Sequence, residues 1–244
     1  MKRPHDLSGL MKFAAQPDWA EHLREALDDH LGPALEAFDL EPEALAEILG
    51  DHWASTLWGC AFEDLATRRV GPQGRNLADD YLKRRGWAEA GPTKLYIRAL
   101  RASVMSLYEV SEVEPGAGFL ARDLLRGGAP AQVSERSASQ TLQAWDRIGA
   151  RVITVGTRRV LAGGLLPFTA EAAEALIAGL HQAEGKSRAR TSVAIDDERL
   201  REMAPLISTT CSVALRGLAR VHFIRNALAS FSEKRGEPDF ELRF

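Results

Sequence analysis

The sequence predicts an α+β protein with an N-terminal helical region, a small central β-barrel or curled antiparallel sheet, and C-terminal helices. Three observations predict it. Apolar residues recur at helical spacing on both flanks of the chain. Between them lie short apolar runs cut by Gly, Pro and Ser at close spacing, which is the pattern of short strands. With 244 residues, 45% of them hydrophobic and 27% charged, the chain can bury one large core or two small ones. The expected division is 1–104 mainly helical, 105–168 a β module and 169–244 helical.

Pro17-Asp18 opens the first helix, with Asp18 as its N-cap and Trp19, Leu23, Ala26, Leu27 and His30 along one face. Gly32-Pro33 is expected to interrupt it. Glu41-Pro42 starts a second helix. Its apolar side runs from Leu45, Ile48, Leu49, His52 and Trp53 through Leu57, Cys60, Ala61 and Leu65. The two form an α-hairpin with a wet acidic face. Gly71-Pro72-Gln73-Gly74 breaks the pattern, and Asn76 caps a short helix. Asp79 and Asp80 fall in its first turns and Lys83, Arg84 and Arg85 in its last, an order that complements the helix dipole. The next helix starts near Pro92, and Lys94, Arg98 and Arg101 share one of its faces.

In the β module, strands are expected at Tyr108–Val113, Phe119–Leu125, Ala131–Glu135 and Ile148–Val155, with Val160-Leu161 returning before a break at Gly163-Gly164. Gly116-Ala117-Gly118-Phe119-Leu120-Ala121 has the GxGxxA shape of a dinucleotide fingerprint. That mechanism needs a helix to begin there, and too few residues precede Gly127-Gly128 to build one, so a hairpin turn is the better account. Ser134, Ser137 and Ser139 beside Arg136 read as a loop whose hydroxyls bond nearby backbone. Leu142, Asp146, Ile148 and Val152 enter a strand as in many nucleic-acid-binding barrels.

The runs EVEPGAG, RDLLRGG, SERSAS and WDRIGARV, between Glu112 and Val152, resemble a module of uncharacterised bacterial proteins. Some of those proteins carry a cysteine-rich SEC-C zinc motif, which the two cysteines here cannot form. The resemblance implies one coherent module and a bacterial source, and it brings no activity.

Thr169 is the expected N-cap of the following helix, with Leu176, Ile177 and Leu180 buried. Glu184–Ser192 reads as an exposed linker. Asp196 or Asp197 caps the last long helix, which Pro205 is expected to kink or divide. There Ile207, Cys211, Ala214, Leu218, Val221 and Leu228 form a bundle seam. Pro238–Phe244 alternates as an extended tail.

Composition narrows the function. No apolar run approaches the roughly 18 residues of a membrane span. The start MKRPHDLSGLMKF lacks the apolar core of a signal peptide, and both cysteines fall in helical patterns, so a reducing cytoplasm is expected. No histidine begins an HxxxH pair, and no CxxC, GxSxG or P-loop occurs; no metal, cofactor or catalytic residue is expected. Charge is uneven beneath a net −3: from Ala14 to Asp64, 13 acidic residues meet one basic residue, and from Thr67 to Arg101, nine basic meet three acidic. Trp53, Trp58, Trp87 and Trp145 read as core or interface anchors. The leading expectation is a non-catalytic binding or adaptor protein, and nucleic-acid binding is the most testable version of it. The contacts would come from Lys94, Arg98 and Arg101 on the basic helix and from Arg136, Arg158 and Arg159 in the module. One alternative is a hydrolase with a site assembled from Cys60, His52 and Ser137. Another is a regulator whose acidic hairpin meets a basic protein partner.

Overall fold

A computed structural model describes residues 6–41, 44–183 and 194–215. Six helices come first: α1 (Ser8–Ala14), α2 (Pro17–Phe38), α3 (Ala44–Leu49), α4 (Asp51–Thr67), α5 (Leu77–Arg85) and α6 (Gly91–Arg101). Five strands follow: β1 (Met105–Glu114), β2 (Gly118–Asp123), β3 (Ala131–Ser134), β4 (Arg147–Val155) and β5 (Arg158–Phe168). Helices α7 (Ala170–Ala183) and α8 (Asp197–Leu215) end the described chain. Pro42, the linker 184–192, the seam positions Leu218, Val221 and Leu228 and the tail Pro238–Phe244 lie outside the described residues.

The strands form one antiparallel sheet in the order β3-β2-β1-β4-β5. It curls until β3 packs across on β5, but the two do not pair, so the sheet stays short of a closed barrel. Its inner face carries Tyr108, Val110, Phe119, Ala121, Val133, Ile148 and Ala150, a small core of its own. The other face looks toward the helices. Met105, Leu107 and Leu166 join Leu57, Cys60, Leu200, Met203 and Ile207, while Ile153 and Ala162 join Leu10, Trp19, Phe62, Ile97 and Leu100. Alternate residues along β1 and β4 thus serve two cores, as the two-residue period of a strand requires.

The runs EVEPGAG, RDLLRGG, SERSAS and WDRIGARV lie in this sheet and its turns. Glu114 to Ala117 is the β1–β2 turn, closed by Ala117 N–H donating to Glu114 O at 3.0 Å. Gly118 lies against the Val133 carbonyl, where any Cβ would overlap backbone. Asp123 Oδ1 accepts from Leu125 N (3.0 Å), Arg126 N (2.8 Å) and Ser106 Oγ (2.7 Å), which turns RDLLRGG sharply back. Ser139 is buried and its Oγ accepts from Gly116 N at 3.0 Å. The GxGxxA stretch is a hairpin, with no helix for a pyrophosphate to face.

Several local expectations meet a different outcome. α2 runs straight through Gly32-Pro33. Proline removes only one hydrogen bond there, and burial of Ala26, His30 and Ala34 on either side holds the helix together. Its N-cap is Gln16, since Pro17 takes the first helical position and leaves Asp18 in the first turn. The long second helix is split at Gly50, whose φ of 82° no helix accommodates. α8 likewise continues through Pro205. The caps at Asn76, Thr169 and Asp196 are present.

Gly163-Gly164 is no break: it lies inside β5. A Cβ on Gly163 would overlap the Glu63 carboxylate, and one on Gly164 would overlap Thr56. The pair lets α4 settle on the strand. Gly163→Ala should destabilise the protein by about 2–3 kcal/mol in urea denaturation, because its φ of 56° adds strain to the clash. Gly156→Asn, at a positive φ in open space, should change stability by less than about 1 kcal/mol.

Candidate functional site

The densest polar chemistry lies where α2, α4, α8 and β4 meet. Asp64 stands near the C-terminal end of α4 and is 1% exposed. Arg151 Nη2 donates to its Oδ1 at 3.2 Å. Arg68, just past the helix, donates to Oδ2 through Nε at 3.0 Å and through Nη2, and its Nη1 reaches Asp29 Oδ2 at 2.8 Å. His30 Nε2 lies 3.2 Å from Asp64 Oδ2, close enough for a charge contact but misaligned for a hydrogen bond. Its Nδ1 is 2.7 Å from Ser208 Oγ. Glu63 completes the group, 3.8 Å from Arg151 Nε.

Ser208, His30 and Asp64 therefore fall in the order of a nucleophile, a base and an orienting acid. What the array lacks is access. Ser208 and His30 are fully buried, and Ser208 Oγ also donates to Pro205 O at 2.9 Å. No carbonyl substrate reaches that hydroxyl while α8 is in place. The chemistry the arrangement performs is charge compensation: Arg68 and Arg151 are set against Asp64 and Asp29, with the His30 ring beside Asp64 and Ser208 bonded to the other side of that ring. Burial alone would raise the Asp64 carboxyl, but the His30 contact and the Arg68 and Arg151 charges outweigh it and hold the group well below the usual carboxylate range. Burial pushes Glu63 the other way, from 4.5 up to about 7, with Arg151 opposing.

The hydrolase candidates do not join this group. Cys60 is buried, and burial followed by the Glu63 charge raises its thiol far above the range of a nucleophile. His52, expected on the apolar stripe, is exposed at the start of α4 and packs edge-on against Trp53. Ser137 is exposed in the loop after β3, its N–H donating to Glu135. No hydrogen bond links any two of the three among the described residues.

The six cations are more dispersed than their sequence order suggests. Arg158 and Arg159 are exposed at the tip of the β4–β5 hairpin, facing Val155 and Thr154 in register. Arg98 is exposed and Lys94 half-buried on α6. The same core that takes Ile97 and Leu100 of α6 takes Ile153 of the hairpin, with Val155 and Val160 against it, so these two elements are neighbours. Arg101 is bound to Asp79 Oδ2 at 3.0 Å. Arg136 is exposed beyond Ser134, which pairs with Gly118, and so lies at the opposite end of the sheet from the hairpin tip. Trp58 stacks on Phe62; of the two alternatives for the tryptophans, core or interface anchor, the core one does not hold for Trp87 and Trp145, which are 79% and 73% exposed.

The buried network escaped sequence reading, although it left a trace. Glu63-Asp64 interrupts the apolar run CAFEDLA, and Arg151 falls in a strand at a position whose neighbours two residues away, Gly149 and Ile153, face the helices. Opposite charges at inward positions of two elements are the signal.

A family model described as "Family of unknown function (DUF7986)" matches residues 70–194. That span holds α5 through α7 with the whole sheet, so it includes Arg151 but not His30, Asp64 or Ser208. No curated protein and no solved structure matches the chain.

Two outcomes follow from the buried charges. Asp64→Asn leaves Arg151 and Arg68 without their counter-charge and should cost about 3–5 kcal/mol in chemical denaturation. Glu63 is raised in the folded state, so the stability it contributes is full below its ordinary value of 4.5 and is lost as pH rises through about 7. Glu63→Gln should therefore be more stable than wild type at about pH 8, by on the order of 3 kcal/mol, with the difference gone by about pH 4. The comparison is made by urea denaturation at both pH values.

Proposed function

For a chain that belongs to a family of unknown function, DUF7986, we propose a non-catalytic nucleic-acid-binding role carried by α6 and the β4–β5 hairpin. One observation carries this reading: two neighbouring elements, α6 and the β4–β5 hairpin tip, present cations with no ion pair among the described residues, while seven arginines elsewhere are bridged. Arg68, Arg75, Arg84, Arg122, Arg126, Arg147 and Arg151 each meet a carboxylate. Lys94, Arg98, Arg158 and Arg159 meet none among the described residues, and they stand on two neighbouring elements. A cation whose charge is already matched by a fixed carboxylate gains little from a phosphate. One that is unmatched and solvated releases counterions from a polyanion when it docks. Arg101, held by Asp79, and Arg136, at the far end of the sheet, are expected to contribute less.

A second reading has its own support. The C-terminal end of α2 and the segment after it form a cleft of about 330 Å³ lined by Asp28, Gly32, Leu35, Glu36, Asp39, Leu40 and Glu41. Four carboxylates at its rim suit a basic segment of a protein partner. Titration with a Lys/Arg-rich peptide tests it: saturable binding lost in an Asp28→Asn/Glu36→Gln/Asp39→Asn variant supports this reading, and no binding removes it.

For the nucleic-acid reading, the combined variant Lys94→Ala/Arg98→Ala/Arg158→Ala/Arg159→Ala is compared with wild type by fluorescence anisotropy on labelled RNA and DNA of mixed sequence. Affinity should fall at least tenfold at about 50 mM salt and do so alike for unrelated sequences, because phosphate contacts position without reading bases. The salt slope on single strands should flatten by about 3, roughly 0.7 for each phosphate lost. An affinity equal to that of wild type would falsify the assignment.

A further inference from the structure

We infer that the seam between α5 and α6, with Trp87 at its closed end, is a stacking platform for single-stranded nucleic acid. This inference rests on the nucleic-acid reading above and names the form of ligand it takes. α5 and α6 run antiparallel, joined by the tight turn at Gly86–Ala88, and the Arg101–Asp79 bridge fixes which faces meet. Lys83 lies one turn on from Asp79. Arg98 and Lys94 lie one and two turns back from Arg101. Helical spacing therefore returns all three cations to the same seam, on the turn side of the bridge. Lys83 and Arg98 are exposed, and none of the three has an ion pair among the described residues. The acids nearby are taken: Asp79 by Arg101, Asp80 by Arg75 and Glu89 by the Tyr81 hydroxyl.

Trp87 projects from that turn and is 79% exposed. Tryptophan is highly buried on average, so an indole left almost wholly in water beside unpaired cations needs a reason. The turn beneath it is braced: Tyr81 donates to Glu89 on the far side of Trp87, and Gly9 of α1 packs so closely on the Tyr81 hydroxyl that a Cβ there would overlap it. Leu95, 53% exposed on the same helix as Lys94 and Arg98, adds apolar surface. An exposed aromatic plane on a braced turn, next to a short track of cations, matches what a flexible strand offers, unstacked bases on a regularly charged backbone. A duplex hides its base faces and has nothing to lay on the indole.

The test uses the full chain. Trp87→Ala, Trp87→Phe and the control Trp145→Ala are titrated into labelled single strands and duplexes of the same composition, with folding checked by circular dichroism. Wild type should prefer the single strand. Trp87→Ala should lose about tenfold on single strands with an unchanged salt slope, since stacking and not a phosphate contact is removed. Trp87→Phe should keep most of the affinity. Trp145→Ala, altered at the opposite end of β4 from the hairpin, should bind as wild type does. Wild-type affinity in Trp87→Ala, or a preference for duplex, overturns the platform while leaving the cation assignment standing. Absence of binding by wild type overturns both, and so does equal affinity for an acidic peptide, which points to a protein partner.

Discussion

The fold depends on the compensation of Asp64. Four segments distant in sequence send polar groups to this carboxylate or its neighbours: His30 and Asp29 from α2, Arg68 from the end of α4, Arg151 from β4 and Ser208 from α8. Buried ion pairs of this kind add little over a well-packed apolar cluster, but they are costly to break. Their effect here is on register. Slipping β4 by one residue would turn Arg151 from Asp64 into the inner apolar face of the sheet, among Phe119, Val133 and Ile148. One arginine thereby sets how the curled sheet meets the helices.

Elements whose signals are local were legible in the sequence. Asn76, Thr169 and Asp196 cap helices because each needs only a side-chain oxygen and the next turn of backbone. The GAG turn and the Gly156-Thr157 tip were equally plain, and the first four strands lie near their expected places, while β5 runs well past its expected end. What stayed hidden depends on neighbours far along the chain. Gly32-Pro33 looks like a helix stop until burial on both sides of it is known. Gly163-Gly164 looks like a turn until Glu63 and Thr56 are placed over it. Of the candidate site, the hairpin tip and the basic helix face were legible, because spacing alone places them. Which cations have partners was not: Arg101 and Arg98 are alike in spacing, and only the approach of Asp79 separates them.

The motif residues between Glu112 and Val152 are consumed by the fold: Asp123 shapes a turn, Ser139 ties it to the β1–β2 hairpin, and Arg151 goes inward. These three are committed to the structure, and the relay-like trio of Ser208, His30 and Asp64 is buried beneath α8. The groups that remain available lie outside: the cations of α6 and of the hairpin tip, the exposed indole of Trp87, and the acidic cleft at the end of α2.

The most direct test of this account is the affinity of the unmodified protein for mixed-sequence RNA and DNA as a function of salt, from about 50 to 200 mM, read as log K against log salt. The account predicts measurable binding at the lower salt that weakens linearly and steeply across the range. Failure to bind at the lower salt, or an affinity indifferent to salt, would contradict it.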